Sequence, residues 1–108
     1  MGKIVSVYKD DLDRAWFDSS NILYGECHDN TNELKKVIIT FKNGGTYQYN
    51  DVKVNDWLKF RESASSGKGF IQYIKPYEFE KLENKDVDLL KEELNKLLEQ
   101  AKENGTTD

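Results

Sequence analysis

Asn43-Gly44 lies between two runs of β-branched and aromatic residues, 37–41 and 46–49. It constrains this chain more than any other feature. Asn and Gly accept the positive φ angles of a tight turn, so the stretch reads as a β-hairpin. Its register can be argued from face patterning. A two-residue turn at Asn43-Gly44 pairs Phe41 with Thr46, Ile39 with Gln48 and Ile38 with Tyr49, which mixes apolar and polar side chains on both faces. A three-residue loop of Lys42, Asn43 and Gly44, with Gly44 left-handed in a bulge, pairs Phe41 with Gly45, Ile39 with Tyr47 and Val37 with Tyr49. One face then carries Val37, Ile39, Phe41, Tyr47 and Tyr49, and the other Ile38, Thr40, Thr46 and Gln48. A slip of one residue sends every side chain to the wrong face, so the pattern predicts the bulged turn.

The neighbouring segments build on this hairpin. Residues 3–8 alternate weakly as a short strand within an N-terminal extension, 1–15, able to serve as a sheet edge. Trp16 and Phe17 lead into Asp18-Ser19-Ser20-Asn21, whose side chains bond nearby backbone, and then into a strand over 22–28. Residues 29–32 are turn material. Three consecutive strands with short connections predict an antiparallel meander, which needs a cover for its apolar face. Asn55 or Asp56 is expected to cap a helix to about residue 63, with Val54, Trp57, Leu58 and Phe60 as its apolar stripe. Residues 65–69 break it, and 70–74 form a second short helix ending near Lys75-Pro76. From 84 to 102, Val87, Leu90, Leu94, Leu97 and Ala101 recur at helical spacing, Leu89 and Leu98 widen the stripe, and Gly105 follows. The expected fold class is α+β: a small antiparallel β-meander covered by one or two short helices (16–79), plus a C-terminal amphipathic helix and tail (80–108).

Composition bounds the function. At 108 residues the chain is one domain with an appended element, and its 33% charged residues and mean hydropathy of -0.81 are offset by 13 aromatics, which argue against disorder. One cysteine, Cys27, excludes an internal disulfide. With no signal peptide or long apolar run in view, the expectation is a cytoplasmic protein with no membrane partner. The net charge of -4 is unevenly spread: residues 14–79 carry 9 basic and 8 acidic side chains, and 80–108 carry 5 and 9. The acidity sits mostly in the tail.

Three groups of side chains are candidates for ligand binding. Residues 58–75 hold Lys59, Arg61, Lys68 and Lys75 against Glu62 alone, interleaved with Phe60, Phe70 and Tyr73. Glycines around Lys68 would let backbone N–H groups approach a phosphate, and the cations supply sequence-independent attraction. Ser19, Ser20 and Asn21 suit a phosphate or ribose contact, though such a run more often caps a strand entry. Tyr47 and Tyr49 either form a stacking platform or pack with Val37, Ile39 and Phe41 under a helix, and the register argument favours packing. His28 beside Cys27 and Asp29 supplies neither a zinc ligand set nor an oriented triad, since neighbours in a strand point to opposite faces. No metal, cofactor or catalytic residue is expected.

Asp18-Ser19-Ser20-Asn21-Ile22, the hairpin with Asn43-Gly44, Tyr47 and Tyr49, then Asp51-Val52, Ala64, Ser66-Gly67-Lys68, Phe70 and Ile74-Lys75 together resemble the KTSC domain. The resemblance covers about residues 16–79. That family takes its name from the C-terminus of certain lysyl-tRNA synthetases and also occurs as free-standing bacterial and phage proteins. The resemblance implies a compact α+β unit with a central Tyr-x-Tyr strand and a suggested role in binding RNA. The chain departs from the pattern at Ile71, where Asn is common, and at the terminal aromatic, Tyr77 or Phe79. Three functions are open: a non-enzymatic module for RNA or single-stranded nucleic acid; a homo-oligomer that sequesters a small cyclic nucleotide as in phage counter-defence; and a protein-protein adaptor. The C-terminal helix, too short to stand alone, suits pairing with a second copy and folding back on its own domain equally.

Overall fold

A computed structural model describes residues 2–28 and 34–105, with side chains through Ala101. The turn expected over 29–32 lies outside the described residues. The strands are β1 (Lys3–Lys9), β2 (Leu12–Phe17), β3 (Ile22–His28), β4 (Leu34–Phe41), β5 (Thr46–Lys53) and β6 (Phe79–Leu82). They form one six-stranded antiparallel sheet in sequence order, with β1 and β6 at its edges. Helix α1 (Val54–Arg61) follows β5 directly, α2 (Ser66–Gly69) runs into a π turn at Phe70–Ile74, and α3 (Val87–Gly105) closes the chain. The fold is α+β, as the pattern predicts; the edge strand expected over 3–8 is present as β1, and β2 and β6 widen the sheet beyond the strands expected.

The central hairpin has the bulged register. Ile39 faces Tyr47 and Val37 faces Tyr49, Phe41 N–H donates to Gly45 O at 2.9 Å, and Gly44 has φ +93°. Glycine reaches that angle without the Cβ clash that opposes it in other residues.

The sheet has two covered faces. On one, Ala15, Phe17, Val37, Ile39 and Tyr49 pack with Trp57, Phe60, Phe70 and Ile74 of the helical segment. Within α1 it is Trp57 and Phe60 that are buried, whereas Val54 and Leu58 are exposed, so the expected four-residue stripe narrows to two. Neither Asn55 nor Asp56 caps this helix; the chain passes from Lys53 straight into it without a side-chain cap. Asp56 instead accepts the Tyr77 hydroxyl proton, and that hydroxyl in turn accepts from Lys53 N–H at 3.2 Å. Residues 65–69, expected as a break, form α2, whose start is capped by Ser65 Oγ accepting from Lys68 N–H at 3.4 Å.

On the other face α3 docks. Leu90 is buried against Trp16, Leu23 and Tyr24, flanked by Val87, Leu94 and Leu97. Trp16 Nε1–H donates to Leu90 O at 3.0 Å, and Arg14 pairs with Glu93. The helix starts later than expected because Lys85 N–H is held by Gly44 O at 3.2 Å and Thr46 Oγ1 at 3.3 Å, and Asp86 Oδ1 accepts from Leu89 N–H at 3.2 Å. Leu89 and Leu98 stay exposed. Among the described residues no helix is long and apolar enough to cross a membrane.

Candidate functional site

A cleft of about 620 Å³ opens where three chain segments meet: the β2–β3 loop, the β4–β5 turn, and the run from Ser65 to Lys75. The first two are tied backbone to backbone, Lys42 N–H donating to Asn21 O at 2.7 Å, because Ile22 and Phe41 pair at the adjoining ends of β3 and β4. Inside the turn, Gly44 N–H donates to Phe41 O at 2.9 Å and Gly45 N–H to Asn43 Oδ1 at 2.8 Å. The carboxamide oxygen of Asn43 is therefore occupied, and its nitrogen is left as a donor.

The third segment is fixed by close packing. A Cβ on Gly69 would lie 2.4 Å from Ser63 Oγ and 2.8 Å from Ser63 Cβ. Glycine thus lets α2 press against the end of α1. At the π turn, Lys75 N–H reaches back to Phe70 O at 2.8 Å. Inserted turns of this kind occur frequently at functional sites.

The loop contributes Ser20, Asn21 and Ile22, the turn Phe41, Lys42 and Asn43, and the helical run Ser65, Gly67, Lys68, Phe70, Ile71 and Lys75. Ile22 and Phe70 are buried and give the cleft an apolar base, while Lys42, Lys68 and Lys75 are exposed around it. Among the described residues none of these three lysines is in an ion pair. A hollow of about 360 Å³ continues past Lys42 to Ser19 and Asp18. A second recess, of about 400 Å³, continues past Lys75 to Tyr47, Tyr49 and Phe79.

The structure thus joins two candidate groups that are far apart in sequence. Ser20 and Asn21 stand in the same cleft as Lys68, Phe70 and Lys75. Ser19 is spent on capping, its Oγ accepting from Asn21 N–H at 3.2 Å and Ile22 N–H at 3.3 Å. Three expected contributors stand elsewhere. Lys59 Nζ lies 5.8 Å over the ring of Tyr73, and Tyr73 packs against the core. Arg61 turns to Asp13 of β2 and to Glu62; burial alone would lower its guanidinium, but these carboxylates hold it above its ordinary value.

Tyr49 is 4% exposed, and burial, with Tyr47 adding to it, pushes its phenol up to about 12. Tyr47 is half-buried and lines the second recess. Lys42, Asn43, Ser65 and Ile71 are cleft residues that sequence reasoning missed. The signal available for Lys42 and Asn43 was the turn itself, since a bulged loop turns its side chains away from the sheet.

His28 Nε2 lies 2.7 Å from Glu26 Oε2. Among the described residues no group of three or more His, Cys, Asp and Glu side chains is placed to hold a metal ion.

No curated protein and no solved structure matches the chain. Residues 18–79 do match the family model of the KTSC domain. That span holds β3, β4, β5, α1, α2, the π turn and every residue lining the cleft, and the chain belongs to the KTSC domain family.

Proposed function

We propose that this chain is a non-catalytic binding module for a phosphate-containing ligand, foremost single-stranded nucleic acid, and that the cleft is its site. One observation carries the reading. Lys42 from the β4–β5 turn and Lys68 and Lys75 from the helical run reach a single apolar-based cleft, and among the described residues none of the three has an acidic partner. Cations left unpaired in this way are available to phosphates. The surrounding groups suit the same ligand: hydroxyls on Ser20 and Ser65, and the amides of Asn21 and Asn43, are common partners of phosphate and sugar oxygens. Helix α3, which carries acidic residues, packs on the opposite face of the sheet.

Three lysine contacts set the scale of the test. For a single strand each neutralised phosphate adds about 0.7 to the salt slope, so log affinity should fall against log salt with a slope near -2. Fluorescence anisotropy of a labelled oligonucleotide, from low to moderate salt, measures it directly. The triple variant Lys42→Ala, Lys68→Ala, Lys75→Ala should lose both the binding and the slope, whereas Lys59→Ala should leave them intact. Undetectable binding of single strands at low salt overturns this reading.

A second reading draws on the size of the cleft. About 620 Å³ falls in the range of sites that enclose one small molecule, which suits a single or cyclic nucleotide held by a homo-oligomer. Stabilisation by a mononucleotide or cyclic dinucleotide, with oligonucleotides inert and a dimer in sedimentation, would favour it.

A further inference from the structure

We infer that the aromatic recess beside Lys75 is a nucleobase subsite, so that the ligand is recognised as a nucleotide unit and not as a phosphate polymer alone; this rests on the lysine cleft being a phosphate site. The recess and the cleft are contiguous, sharing Phe41, Asn43, Phe70 and Lys75. A ligand with a phosphate at Lys75 therefore has its next group over the rings of Tyr47 and Phe79.

Among the described residues Phe79 and Tyr8 are the exposed aromatics, and Phe79 is the one that lines the recess. Trp16, Trp57, Phe17, Phe60, Tyr24, Tyr49 and Phe70 are each at most 8% exposed, yet Phe79 is 58% exposed on the edge strand β6. Its ring is nevertheless held in place. It lies 5.7 Å from Tyr47 at 75° and 5.6 Å from Tyr49 at 41°, and Phe41 stands edge-on to Tyr47 at 5.8 Å. A ring braced by its neighbours yet open to solvent beside a cation suits base stacking, because bracing lowers the ordering cost of binding. Gly45 lines the recess without a side chain to fill it. Lys81 Nζ stands 5.2 Å from the centroid of Tyr47, adding positive charge next to that ring. The recess holds about 400 Å³, within the size range of small-molecule clefts. Apolar rings flanked by lysines suit a flat body carrying a negative charge, and a nucleotide has both.

The test compares strands with and without bases. An oligoadenylate and an abasic phosphodiester strand of the same length and charge are titrated by anisotropy at low salt. The wild-type chain should bind the oligoadenylate roughly tenfold or more tightly. Phe79→Ala, at an exposed edge position where folding is retained, should bring the oligoadenylate to within about threefold of the abasic strand and leave the abasic strand unchanged. Phe79→Trp should preserve or widen the gap. Adenosine monophosphate is the third ligand: Phe79-dependent binding of it identifies a free nucleotide as a sufficient source, and Phe79-dependent binding of the strand alone identifies a polymer. Equal affinity of wild type for abasic and base-bearing strands overturns the subsite while leaving the lysine cleft standing. Failure of both strands to bind overturns the two together.

Discussion

The indole N–H of Trp16 on β2 donates to the main-chain carbonyl of Leu90 on α3 at 3.0 Å, in a fully buried contact. That bond and the packing of Leu90 on Trp16, Leu23 and Tyr24 form the buried centre of the α3 docking site. A buried leucine truncated to alanine loses its transfer energy and leaves a cavity, which costs about 2–5 kcal/mol. Leu90→Ala should therefore destabilise the chain by about 3 kcal/mol in urea unfolding. The fluorescence of Trp16 should also shift to the red as water reaches the indole, which separates loss of docking from a general loss of stability.

Asp13 is the acidic side chain of the main core. It is 6% exposed and accepts from Trp57 Nε1–H at 2.8 Å and from the Arg61 guanidinium. Removing one member of a buried ion pair leaves the other charge uncompensated, at about 3–5 kcal/mol. Asp13→Ala should lie at the low end of that range, because Arg61 also holds Glu62. The double variant Asp13→Ala, Arg61→Ala should cost less than the two single variants added together, since the second change removes the stranded cation. Additive losses in urea unfolding would show that Asp13 acts through Trp57 alone.

Asp13 also explains why the width of the sheet escaped the sequence. The hairpin register was legible because period-two alternation and Asn-Gly chemistry agree locally. Strand β2 was not, because the charges of Asp13 and Arg14 interrupt an apolar pattern until Trp57, Arg61, Tyr24 and Glu93 arrive from other positions to satisfy them. Strand β6 is four residues at an edge, and its pairing to β5 makes it a strand where its pattern does not. The cleft was half legible for the same reason. Lys68, Phe70 and Lys75 form a local run, whereas Lys42 and Asn43 read as turn chemistry and join the run only in three dimensions. Lys59 and Arg61 stand outside the cleft; proximity in sequence does not say which side of α1 a side chain takes.

Tyr49 gives a prediction at alkaline pH. An unfolded phenol ionises near pH 10, and in the folded chain burial raises Tyr49 to about 12. The folded state thus keeps a proton that the unfolded state releases. The stability linked to Tyr49 is whole below about pH 10 and drains away as the pH climbs toward 12. Tyr24, also raised by burial and by Glu26, drains in the same direction. Thermal midpoints followed across this window should fall less steeply in Tyr49→Phe than in the wild type, with Tyr24 and Tyr77, both raised by burial, contributing to the remaining fall. Parallel curves for the two proteins would mean that Tyr49 is accessible to solvent.

Gly44 connects the fold to the site. Its φ of +93° lies where an L side chain is strained, yet a Cβ there would meet nothing nearer than Lys85 O at 3.5 Å, an ordinary contact. The cost of Gly44→Ala is therefore conformational, about 1–2 kcal/mol, and Gly44→Asn should recover part of it because Asn tolerates left-handed angles. The strain reaches outward on both sides. Gly44 O accepts from Lys85 N–H at the approach to α3, and Lys42 and Asn43, the preceding residues of the same turn, line the cleft. Gly44→Ala should accordingly lower both the urea midpoint and the affinity for a single-stranded oligonucleotide, with Gly44→Asn intermediate in each. A loss of stability with unchanged affinity would place the ligand against the Lys68 and Lys75 side of the cleft and away from the turn.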